Sequence, residues 1–394
     1  MFMGSSRRQP PLRAFLLLCL LGSFAPVLTL AAADASSGGW LAVEFPHDSP
    51  VLPVSFSLAE PVPTTASIRG ASLVVDLHAT LLLRNTGTKA LSGMTLLVQA
   101  PDLTPSGRGS VTIPSLHALP GDVFPVRVDM QLLRPLNMGR TKGAMMQLSL
   151  DCALFSDLSA YGPDKLHSRR ALMVYELEAR RDRRYLAALL DTGRLSELRE
   201  ELNFGLQDLN PSQLGLELLL HAQAPRGHEQ PVSVGAVAFP SSPVKPLGGN
   251  AQIFGNEVRD SLLQVQNTSG RSVKDFEVGW IIRDERGRNF IAGSVRSALQ
   301  LAPVETANIT QPGTLRFSHP SGTPMAVDAL LAFVHDVEFS DGKLWIPTRV
   351  DITQATTDPI LRRALASSPE QQRLADIYRH KGMGGLQEEL QKIK

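Results

Sequence analysis

The chain has 394 residues, an apolar fraction of 43%, and 39 Lys plus Arg set against 38 Asp plus Glu. Charge this evenly balanced argues against a nucleic-acid partner held by a broad basic field. The apolar content argues against a disordered chain, and the length suggests more than one domain.

Residues 1–33 read as a secretory signal: Arg7, Arg8 and Arg13 form a positive start, residues 14–30 are uncharged and leucine-rich, and Ala31, Ala32 and Ala33 are small. Cleavage is expected between Ala33 and Asp34, giving an exported protein, periplasmic or extracellular. The uncharged run is also about long enough to span a bilayer, so an uncleaved membrane anchor is the alternative. Of the two cysteines, Cys19 lies in the leader and Cys152 sits in alternating strand text. A buried thiol acting as a small hydrophobe is the expected role of Cys152.

The remainder resembles itself. Residues 81–91 align without a gap on 263–273, bringing Asn85 onto Asn267 at an offset of 182, and Met94, Leu96 and Val98 onto Phe276, Val278 and Trp280. Phe155-Ser156-Asp157 aligns on Phe339-Ser340-Asp341 at an offset of 184, and Leu186, Leu198 and Leu202 on Leu374, Leu386 and Leu390 at 188. Three matches in one order, with apolar parity kept across the turn, point to a duplicated unit. Parity breaks at one place: Leu331, Phe333, His335, Val337 and Phe339 meet Gln147, Ser149, Asp151, Ala153 and Phe155. A bulge in one copy, pairing Cys152 with His335, is the expected explanation.

In unit one (34–203), strands are expected over 75–84, 91–98, 126–132, 148–154 and 172–177, followed by a helical hairpin over 180–203. Residues 204–231 read as a linker, with 214–220 open between edge strand and helix. In unit two (232–394), strands are expected over 262–266, 276–282, 329–339 and 344–350. Its helical hairpin, 368–394, is announced by Ser368 as N-cap, Pro369 at the first position and Gln371 three residues after the cap. Gly193 and Gly382 would end the first helix of each pair. Helices this short must pack on a neighbour. The fold class is mainly β: two tandem immunoglobulin-like β-sandwich units, each followed by a short helical hairpin.

The run 265–287, with Asn267-Thr268-Ser269 in a turn and Trp280-Ile281-Ile282-Arg283-Asp284 ending the second strand, resembles the FxLYD-type immunoglobulin-like domains of exported bacterial proteins. The aromatic residue and the Asp of that motif are kept, while its Tyr is replaced by Arg283. The resemblance spans about 25 residues in unit two and about 15 in unit one, and implies an exported, non-catalytic role without naming a ligand.

No nucleophile elbow, zinc-protease helix, Cys-x-x-Cys pair, phosphate loop or dinucleotide fingerprint occurs. No catalytic, cofactor or metal residue is assigned, and no enzyme activity is expected. His335, Asp336, Glu338 and Asp341 form the richest local cluster, read as a solvated strand face; a metal site completed by His319 is the alternative. Arg180-Arg181-Asp182-Arg183-Arg184 reads as a solvated, ion-paired helix face, with a docking patch for an acidic partner or membrane surface as its alternative. Trp40, Trp280 and Trp345 read as core. Asn267 and Asn308 match the glycosylation acceptor pattern. The function expected is presentation of β-sandwich surfaces to a protein or glycan partner. The two alternatives are an enzyme or metal site assembled only in three dimensions, and a membrane-anchored assembly factor.

Overall fold

A computed structural model describes residues 29–31, 41–57, 65–69, 72–99, 108–135, 146–206, 213–220, 229–311 and 313–392. Cys19, Ala33, Asp34 and Trp40 lie outside them, and with them the expected cleavage point. The fold is mainly β, with five helices among the described residues.

β1 (Thr29–Ala31) falls within the expected leader and pairs with β2 (Leu41–Glu44). The first unit contains β2, β3 (Val51–Ser57), β4 (Thr65–Arg69), β5 (Ser72–Asn85), β6 (Leu91–Gln99), β7 (Arg108–Ile113), β8 (Val123–Pro135), β9 (Met146–Phe155) and β10 (Ala160–Tyr161), then α1 (Ser168–Asp191) and α2 (Leu195–Gly205). One sheet runs β1-β2-β9-β6-β7; the other holds β5 between β8 and the pair β3 and β4. Their inner faces meet in one apolar core that includes Leu77, Leu81, Leu83, Met94, Leu96, Val126, Leu148 and Leu150. Alternate residues of each strand supply that core, as a pleated chain with one dry face requires.

The second unit contains β11 (Gln213–Leu219), β12 (Gln230–Val237), β13 (Val244–Phe254), β14 (Glu257–Asn267), β15 (Val273–Arg283), β16 (Asn289–Ser297), β17 (Thr306–Thr310), β18 (Thr314–Ser318), β19 (Ala329–Phe339) and β20 (Leu344–Trp345), then α3 (Arg349–Ala355), α4 (Pro359–Ala366) and α5 (Pro369–Lys392). Every main pairing of unit one recurs here. β13 pairs β14 as β3 pairs β5, β14 pairs β17 as β5 pairs β8, β15 pairs β16 and β19 as β6 pairs β7 and β9, and β12 runs parallel to β19 as β2 does to β9.

Unit two departs from the expected pair of separate sheets. Its strands close into an eight-stranded ring, β12-β13-β14-β18-β11-β16-β15-β19 and back to β12. β12 gives its first half to β13 and its second to β19. The opposite seam is thin: β14 meets β18 at only Glu257 and Val258, and β11 meets β16 at only Gln213 and Leu214. β11, from the segment expected to be a linker, is therefore an interior strand. Closure of this kind removes the exposed strand edges of an open sheet.

The duplication extends to single hydrogen bonds. Asn85 and Asn267 are fully buried. Asn85 donates to the carbonyls of Lys89 and Ala118 (both 2.9 Å) and accepts from Gly87 N–H. Asn267 donates to Arg271 (2.8 Å) and Ala302 (2.9 Å) and accepts from Ser269 N–H. An Asx turn at each site thereby pins the start of the returning strand. Exposed ion pairs Lys89–Asp157 and Arg271–Asp341 repeat as well. A buried amide spent on carbonyls has no capacity for a glycan, which excludes Asn267 as an acceptor.

The expected Cys152–His335 pairing is corrected by the register. Both copies carry the bulge, at Asp151 in β9 and at His335 in β19. The gapless offset of 184 holds throughout, so Cys152 corresponds to Asp336. On each side of the bulge the inward residues match: Leu148 with Ala332, Leu150 with Val334, Ala153 with Val337. Leu331 and Phe333 point away from the ring, where Phe333 packs with Phe239, Ile281, Ile352 and Leu361 beneath α3 and α4.

The helices differ most from expectation. Residues 172–177 belong to α1, not to a strand, and the first hairpin begins at Ser168. Of 344–350 only Leu344 and Trp345 form a strand, and α3 and α4 follow where none was expected. Ser368 does cap α5, accepting from Gln371 N–H at 3.2 Å, and Gly382 breaks that helix at φ 67°. The two hairpins pack on each other through Leu186, Leu189, Leu198 and Leu202 against Leu374, Leu386 and Leu390.

Candidate functional site

The paired strands β6 and β9 in unit one and their copies β15 and β19 in unit two each turn an outer face toward α1. In unit one that face carries Gly93, Thr95, Cys152 and Leu154, registered as Gly93 opposite Leu154 and Thr95 opposite Cys152. At the corresponding places unit two has Asp275, Glu277, Asp336 and Glu338, registered as Asp275 opposite Glu338 and Glu277 opposite Asp336. The duplicated framework thus presents one smooth apolar patch and one acidic patch.

α1 is built for both. Leu172 packs on Cys152 and Leu154, close enough to Gly93 that a Cβ there would lie 3.1 Å from Leu172 Cδ2. Two residues earlier, Arg170 is buried against the acidic patch. Its Nη1 donates to Glu277 (2.8 Å), its Nη2 donates to Asp336, and its Nε lies 2.9 Å from Asp275 and 3.4 Å from Glu338. The rigid guanidinium fork suits this task, since one planar cation offers donors in several directions at once. Ser294 donates to Glu277 (2.5 Å), Lys274 donates to Glu338 (2.6 Å), and Arg296 pairs with Asp275.

His335, on the bulge, extends the lattice. Its Nδ1 lies 2.9 Å from Asp336, and its Nε2 lies 3.6 Å from Glu178 of α1. Burial opposes its charge, but the Asp336 hydrogen bond and the Glu178 carboxylate outweigh burial and push the imidazole up to about 9. Glu178 is held above the ordinary carboxylate range by burial, against the pull of His335 and Arg181.

Further along α1, burial disfavours the Asp182 carboxylate, yet Arg181 and Arg349 hold it below the usual range. Arg349 lies 2.8 Å from it and Ser368 donates at 2.5 Å. Arg349 also reaches Glu201 and stacks over Tyr185. Glu370 is fully buried; burial again opposes its charge, and Arg373 and His117 hold it well below the usual carboxylate range.

The expected solvated faces are therefore both corrected. Asp336, Arg181, Asp182 and Arg183 are buried, and the acidic cluster and the basic run meet partners across the interface of the two units. Asp341 stays exposed on its turn with Arg271. His319, the proposed extra metal donor, instead packs edge-on against Phe290. Among the described residues, Glu277, His335 and Asp336 could bring three ligand atoms within 4.8 Å. That donor set fits a cation, but Arg170 already bridges Glu277 and Asp336, so an ion would have to displace a buried guanidinium. Cys152 is buried away from water, which pushes its thiol up to about 12 and makes it a poor nucleophile. Trp280 is core, while half-buried Trp345 donates to Ser241 (3.2 Å).

No protein-family model and no curated protein matches this chain.

Proposed function

We propose that the chain is an exported, non-catalytic protein whose two immunoglobulin-like units, akin to the FxLYD-type domains, are fused into one rigid body that presents its surfaces to a protein or glycan partner. The acidic patch carries this reading. The best-furnished group of titratable side chains is occupied in holding the units together through Arg170, leaving none of its carboxylates set aside for acid–base work. The shared strand pairings support reading unit two as the same sandwich with its edges joined by β12 on one side and β11 on the other. No helix among the described residues is long and apolar enough to cross a membrane.

Mass spectrometry of the protein recovered from fractionated cells tests export and anchoring together. A soluble exported species beginning at Asp34 is the expected result; a membrane-bound species retaining Met1 would favour the anchored assembly factor. A full-length product confined to the cytosol would refute export. Photo-crosslinking in the native compartment, followed by identification of adducts, tests for the partner.

A further inference from the structure

A cleft of about 680 Å³ opens beside α1. Arg180, Arg183 and Arg184 line it together with His117 from the loop between β7 and β8, and Ala187, Ala188 and Leu390 give it an apolar lining. The volume falls in the range of small-molecule sites. Two of the guanidiniums are committed. Arg183 reaches Glu176 (3.1 Å) and Glu370 (3.3 Å), and Arg180 donates to Glu176 (2.8 Å) and to the Ser156 carbonyl (2.5 Å).

Arg184 is not. It is exposed, its Nε donates to the Arg180 carbonyl at 3.1 Å, and among the described residues it has no carboxylate partner. The duplication sharpens the point. At the helix offset of 188, Arg180, Arg183 and Arg184 correspond to Ser368, Gln371 and Gln372. The guanidinium group is thus absent from the framework the two units share.

We infer that this cleft binds a small organic acid, with one carboxylate on Arg184 and a compact apolar body over Ala187, Ala188 and Leu390. A planar guanidinium recognises a carboxylate through paired, charge-assisted hydrogen bonds. Glu176 shapes the preference further: its second carboxylate oxygen, Oε2, is buried in the cleft wall without a partner. Asp191 lines the cleft as well, and repulsion from these two carboxylates grows with the charge on the ligand, so a monoanion is tolerated better than a dianion such as phosphate. This goes beyond the partner-binding reading above and does not depend on it.

Titration calorimetry on the full chain, with octanoate, 1-octanol and inorganic phosphate as probes, is the test. Octanoate is expected to bind saturably, with 1-octanol and phosphate each at least about tenfold weaker, as loss of a charge-assisted contact implies. Arg184→Ala should weaken octanoate about tenfold, and Ala188→Trp should abolish its binding by filling the cleft. Ala188 is exposed, so the indole need not enter a core. Equal affinity for octanol and octanoate, no saturable heat with octanoate, or unchanged binding in Ala188→Trp would each overturn the inference. Should a variant fail to fold, the comparison of probes on the unaltered chain decides alone.

Discussion

Removing Arg170 is the most direct test of how the two units are joined. Arg170→Ala would take one buried cation from among Asp275, Glu277, Asp336 and Glu338, of which Asp275 and Asp336 are 2% and 1% exposed. Each carboxylate keeps one partner, Arg296, Ser294, His335 or Lys274, so none is left bare. Breaking one member of a buried ionic group costs about 3–5 kcal/mol, because the remaining charges stay desolvated. At roughly 2 °C per kcal/mol for a large domain, the unfolding midpoint should fall by about 6–10 °C. Arg170→Lys should recover less than half of that, since a point charge cannot serve four acceptors spread around a plane. Scanning calorimetry at neutral pH reads both variants. A loss under about 1 kcal/mol for Arg170→Ala, the value of an exposed pair, would refute the claim that this residue locks the units.

Asn85→Ala and Asn267→Ala should each cost about 2–3 kcal/mol in urea unfolding, because both strand buried carbonyls of the same turn; a large difference between them would contradict the equivalence of the two copies. Because the folded-state pKa of His335 is raised from 6.5 to about 9, its contribution is complete below about pH 6.5 and disappears as pH rises through about 9. Stability measured across that window should decline in the unaltered chain, and His335→Gln should flatten the profile. Cys152 should resist a thiol reagent in the folded state. After unfolding in urea a chain cleaved before Asp34 should titrate as one thiol, whereas retention of Cys19 would give two.

The duplicated turn was legible because Asn85 and Asn267 end strands with the same alternation, and a one-residue slip would have reversed every side chain. The common bulge was not. In unit two both faces of β19 are covered, the inner by the ring's core and the outer by α3 and α4, so Leu331 and Phe333 imitate an inward-facing series. Residues 172–177 read as a strand because Leu172, Met173, Val174 and Tyr175 form a short apolar run, which carries no period to separate strand from helix. In α1, Arg170, Leu172, Val174, Glu176 and Glu178 are all buried, so the helix is packed on both flanks. The role of Arg170, Arg181, Asp182 and Arg183 between the units left no local trace either, because their partners in unit two lie more than a hundred residues away. The one signal available was the contrast between copies: Gly93, Thr95, Cys152 and Leu154 against four acids.

Placing the shared cation on α1 also orders the birth of the molecule. During synthesis Arg170 emerges with the first unit, well before β15 and β19 exist, and waits in water until its acids arrive. The second half made by itself would expose this acidic surface with only Arg296, Lys274 and His335 to offset it. The chain therefore matures as a sequence of dependent steps, in which the earlier half carries the key to the later one.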